Sequence, residues 1–178
     1  MAAKKPTEPS SDKQAARAIA ERFDLKRVRM TACDARSTIE DNELPQKTTI
    51  NVQVKVRLGT SVNSPSTSII IVDAQFRLLS SYTDRPTVDA APPLAVSSQF
   101  QLIYESSEQV DATTIDLEAF GHYTALFNVW PFWREFVQST VVRMGLPPLT
   151  VPLFKPAFVQ EMLSQKRRRK KPAKRKRD

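Results

Sequence analysis

The chain has 178 residues, 40% apolar and 26% charged, the composition of a folded protein with room for one sizeable core. A single cysteine, Cys33, and a single histidine, His122, exclude an intrachain disulfide framework and a four-ligand Cys/His zinc motif. Ser/His or Cys/His catalysis would rest on His122 alone, so an enzyme is disfavoured. The net charge of +8 is local. Residues 166–178 hold ten Lys/Arg and one acid, whereas the rest of the chain carries seventeen basic and eighteen acidic residues. Attraction for polyanions therefore belongs to an appendage and not to the body.

No apolar run approaches the roughly 20 residues that span a bilayer. Behind Lys4 and Lys5 there is no apolar stretch, so no secretory signal is expected. With a lone thiol this gives a cytoplasmic expectation. Residues 1–14, with Pro6, Pro9, Ser10 and Ser11, read as a disordered arm; residues 15–165 as one α+β domain; residues 166–178 as a basic disordered tail.

Gln14 to Arg22 is Ala-rich, with Ala15, Ile19 and Phe23 spaced for one helix face. The period then becomes two. Val28, Met30 and Ala32 alternate with Arg27, Arg29, Thr31 and Cys33. After a polar loop at Asp34 to Pro45, Ile50, Val52, Val54, Val56 and Leu58 form the clearest half-buried strand. Val72, Ala74, Phe76 and Leu78 mark a third strand, and Val96, Ser98, Phe100, Leu102 and Tyr104 a fourth. Between them Pro86, Pro92 and Pro93 require a loop. The remainder reads as helical: a short helix over 115–127 weakened at Gly121, then a longer one with Asn128 as N-cap and Pro131 in its first turn. That helix ends at Met144 before Gly145 and Pro147-Pro148. A last amphipathic helix starts near Ala157. The fold class is α+β: a four-stranded antiparallel sheet, read as a meander, with helices packed on one face. Its edge strands need covering, so self-association is expected.

The segment from Phe127 to Pro152 resembles the signature of the SecB protein-export chaperone family. The matching positions are Val129 or Trp130, Pro131, Phe132, Arg134, Glu135, Gly145, Leu146, Pro147 or Pro148, Leu149 and Pro152. The order of four strands before the long helix is also similar to the family's. Three features depart from it: Leu153 is followed directly by Phe154, one residue short of the family spacing; Arg27, Arg29 and Arg36 stand where the family is acidic; and the basic tail has no counterpart.

The resemblance implies an ATP-independent holdase without cofactor, metal or nucleotide. It implies a homotetramer built as a dimer of dimers that keeps secretory precursors unfolded for the SecA motor. A SecB-like chaperone of an antitoxin is an alternative.

Independently of any family, Trp130, Trp133, Val137 and Val141 make one stripe on the long helix. Leu146, Leu149, Val151, Leu153 and Phe154 crowd a loop stiffened by prolines. Stripe and loop read together as a client-binding groove, whose nondirectional burial would accept many sequences; the competing reading makes the stripe core and packs the loop down. His122 reads as structural and Cys33 as inert. Lys166, Arg167, Arg168, Arg169, Lys170, Lys171, Lys174, Arg175, Lys176 and Arg177 read as a contact for RNA or anionic lipid, or as a solvated tail. A nucleic-acid-binding protein acting through that tail is the competing function.

Overall fold

The computed structural model describes residues 11–40, 43–45, 47–61, 64, 66–82, 91–111, 113 and 115–155. The two ends of the proposed arm and tail, residues 1–10 and 166–178, and the helix expected near Ala157 lie outside these. Helix α1 (Ser11–Ala20) starts three residues before the Ala-rich segment and buries Ala16 and Ile19. Strands β1 (Asp24–Ser37), β2 (Lys47–Thr60), β3 (Ser68–Ser81) and β4 (Leu94–Ser106) form one antiparallel sheet.

The sheet order is β1-β4-β3-β2. Strands β2, β3 and β4 form the expected meander, but β1 crosses to the far edge and pairs with β4, a Greek-key arrangement. Strand β1 also departs from simple alternation. Its register slips between Leu25 and Arg27 and again between Met30 and Ala32, each slip a bulge that reverses which side chains face the helices. Val28 and Met30 lie on the helix side opposite Leu102 and Phe100, but beyond the second bulge Cys33 and Ala35 take that side, opposite Ser98 and Val96. Ala32, expected to share the face of Val28 and Met30, points the other way.

The core lies between the helices and the inner rows of β3 and β4, where Ile70, Val72, Phe76, Leu78, Leu94, Val96 and Leu102 are fully buried. Strand β1 keeps little of this cover. Leu25 and Met30 stay exposed on its helix side.

The helical third is one continuous rod: α2 (Leu117–Phe120), a π-helical turn over Gly121–Ala125, and α3 (Leu126–Arg143). Asp116 caps it, its carboxylate accepting from the Ala119 amide at 2.9 Å. Asn128 is therefore not a cap but sits inside α3, where its side-chain amide donates to the Tyr104 hydroxyl at 3.1 Å. Pro131 is likewise interior to α3 and not in a first turn. It is exposed, so the carbonyl deprived of a partner belongs to the solvent side of the helix.

The π turn lies where Gly121 meets β2. A methyl at Gly121 would collide with Val56 and press on Val54, so a residue without Cβ lets the rod approach the strand. At its other end α3 stops as expected. Gly145 has φ +79°, its amide bonds the Val142 carbonyl, and the Leu146 amide bonds that of Val141, a complete Schellman motif with Val141 and Leu146 both buried.

Candidate functional site

Helix α3 aims its Trp stripe at the sheet. Trp133 stacks on Phe76 with ring centroids 4.8 Å apart, and Trp130 meets both Phe76 and Trp133 edge-on at 6.0 and 4.8 Å. Phe76 in turn makes an edge contact with Phe100 at 6.1 Å. Trp133, Val137 and Val141 have no solvent exposure and Trp130 only 3%. The stripe is thus core, and its four residues are not the wall of an open groove. Leu146 and Val151 are buried as well.

The loop after α3 is held down by two side chains one turn apart. The Trp130 indole N–H donates to the Pro152 carbonyl and the Arg134 Nε to the Val151 carbonyl, each at 2.9 Å. These bonds give partners to two carbonyls that prolines and irregular backbone leave without a helix or ladder. With Val151 inserted and its neighbours pinned, the loop seals the helix face instead of standing off it. Leu149 is half-buried.

What remains open is smaller and lies at the far end of the loop. Leu153 is 68% exposed and Phe127, from the first turn of α3, 62%. The half-buried Phe154, next to Leu153 in the chain, has its ring 6.1 Å from Phe127 and 5.3 Å from the sheltered Trp130. Phe127 and Phe154 are thus in ring contact beside the loop held by the Trp130 and Arg134 hydrogen bonds, and the exposed Leu153 immediately precedes Phe154 in the chain. Sequence reading included Leu153 and Phe154 but not Phe127. Its signal is there, since Phe127 precedes Trp130 by three residues and falls on the adjacent flank of the same helix.

His122 is buried, its Nδ1 2.8 Å from the Glu118 carbonyl in the π turn. Cys33 is exposed on the edge strand. Burial pushes the Tyr104 phenol up to about 12, against a smaller opposing effect of the Asn128 hydrogen bond. The Thr113 amide, bonded to the Asp111 carboxylate, lowers that group's pKa. No cluster of metal-ligating side chains occurs among the described residues, and no helix among them is long and apolar enough to cross a membrane.

No protein-family model and no curated protein matches the sequence. Solved structures do match. A SecB-like chaperone of Mycobacterium tuberculosis, Rv1957, in complex with a ChAD peptide from the HigA1 antitoxin, aligns over 80% of this chain and 98% of its own, with a TM-score of 0.57 and 17% identity. The fold is SecB-like. A protein of unknown function from Streptococcus agalactiae aligns over 74% of this chain and 97% of its own, with a TM-score of 0.47 and 9% identity.

Proposed function

We propose that this SecB-like chain is a holdase chaperone that binds unfolded polypeptide without nucleotide, through the patch of Phe127, Leu153 and Phe154. The carrying observation is that Phe127 and Leu153 stay exposed beside the half-buried Phe154 although the neighbouring loop is pinned by Trp130 and Arg134. A rigid apolar surface binds extended chain without ordering itself first, and covering Phe127 or Leu153 contributes about 1–2 kcal/mol each. The clients are secretory precursors in the export reading, with SecA as the receiving motor. The antitoxin reading is favoured by one specific observation, the antitoxin peptide held by the Mycobacterium tuberculosis protein of the same fold.

Self-association belongs to the same proposal. Edge strand β1 carries exposed Leu25 and Met30 beside an unpaired ladder, so a second copy added there would cover both and extend the sheet; the homotetramer follows if two such dimers pair. A cytoplasmic location fits this reading.

The test is suppression of aggregation of an unfolded client at stoichiometric amounts and high salt. The double variant Leu153→Asp, Phe127→Ser is expected to lose most of that activity while melting like the parent, because neither side chain is in the core. Undiminished suppression by the variant would refute the patch. Activity that disappears in the parent at high salt would instead favour polyanion binding by the tail.

A further inference from the structure

The sheet face turned away from the helices is ordered in rows that cross all four strands. In one row Arg27 of β1, Ile103 of β4, Ile71 of β3 and Arg57 of β2 are successive register partners. The two isoleucines are half-buried and the two arginines exposed. The next row reads Arg29, Gln101, Asp73, Lys55. Here Arg29 bonds Gln101 at 2.9 Å, Gln101 bonds Asp73 at 3.1 Å, and Asp73 accepts from Arg57 at 2.6 Å, so the only carboxylate of the two rows is already engaged. Arg57 spends one nitrogen on it and keeps further donors. Among the described residues no carboxylate lies within ion-pair distance of Arg27 or Lys55.

We infer that this face docks an extended acidic peptide segment of the pattern acid-x-apolar-x-acid, its apolar side chain on Ile71 and Ile103 and its carboxylates on Arg27 and Arg57. The dimensions agree. Strands β1 and β2 are three strand spacings apart, about 14 Å, and side chains four residues apart on one side of an extended chain are about 13 Å apart. The middle residue, two positions along, then falls over the isoleucine pair. Charge complementarity selects a peptide over nucleic acid. A phosphate backbone carries charge at every step and would meet Asp73 on one side of the arginine row and Asp24 and Glu105, register partners in the row on its other side, and this face presents no aromatic side chain among the described residues for base stacking.

The inference does not rest on the holdase reading. Two fluorescein-labelled peptides of identical composition test it on the full chain by anisotropy, one with the core Glu-Ser-Leu-Ser-Glu and one rearranged to Glu-Glu-Ser-Ser-Leu. The basic tail responds to net charge and adds equally to both. The aligned peptide is expected to bind about tenfold tighter, the factor that two weak ion pairs and one covered side chain supply. That advantage should vanish in Arg27→Glu and persist in Arg27→Lys, with a thermal melt confirming that both variants fold. Equal affinities, or an advantage surviving Arg27→Glu, would overturn the inference. So would a loss of poly-U affinity in Arg27→Glu as large as the loss for the aligned peptide, which would make the occupant a nucleic acid.

Discussion

Replacing Arg134 by Met keeps most of the side-chain stem and removes the Nε–H that holds the Val151 carbonyl at 2.9 Å. Val151 is 1% exposed, so the freed carbonyl must find water by lifting the loop or stay unpaired. A hydrogen bond from a charged donor contributes about 1.5–3 kcal/mol; Arg134 is half-exposed, which places the expected loss at about 1–2 kcal/mol. For a chain of this size that is a fall in Tm of about 2–8 °C. Trp130→Phe removes the second anchor, the indole bond to Pro152, at a cost of about 1 kcal/mol for the bond plus a term for lost ring volume.

The two anchors grip consecutive carbonyls of one short loop, so they should not act independently. Once either is gone the loop is partly released, and removing the other should cost less. A thermodynamic cycle of the two single variants and the double variant, measured by urea unfolding, is expected to show a coupling of about 0.5–1 kcal/mol. Acrylamide quenching of Trp130 should rise in Arg134→Met, since Phe154 shelters it only while the loop is down. An Arg134→Met protein that melts within about 1 °C of the parent, or strictly additive single variants, would show that the loop is held by Val151 packing and not by the two hydrogen bonds.

Gly121→Ala should destabilise the fold by about 1–2 kcal/mol despite the better helix propensity of alanine, because the added methyl meets the stiff side chain of Val56; chemical denaturation measures it. Gly145→Ala should cost about 1 kcal/mol in the same assay, since φ +79° disfavours a Cβ, with no steric neighbour to add to it. Tyr104 sets an alkaline limit. Its folded pKa is raised to about 12 above an ordinary value near 10, so the native state favours the protonated phenol. That contribution is intact below pH 10 and is lost as pH rises from 10 towards 12, a decline of about 2 kcal/mol that Tyr104→Phe should abolish in denaturation curves taken across this range.

Period-two alternation made β2, β3 and β4 legible, because each of these strands has a row in the core and a row outside it. The edge strand β1 was legible as a strand but not in its facing, since its two bulges leave no mark when both faces are polar or open. The stop at Gly145 was readable because positive φ and the two orphan carbonyls are local requirements. Asn128 has the local context of a cap but is none, for the opposite reason: its hydrogen bond goes to Tyr104, 24 residues away in the chain.

The amino-acid sequence alone determined the secondary structure type, the α+β class and the separation of a near-neutral body from a basic end, because these follow from spacing and charge along the chain. Tertiary structure decided the sheet order, the continuity of the helical rod through Gly121, and which apolar residues remain open. A stripe such as Trp130, Trp133, Val137 and Val141 has the same spacing whether it lines a groove or a core. Only Phe76 from a distant strand and the Val151 and Pro152 carbonyls, brought against it by folding, settle that it is closed.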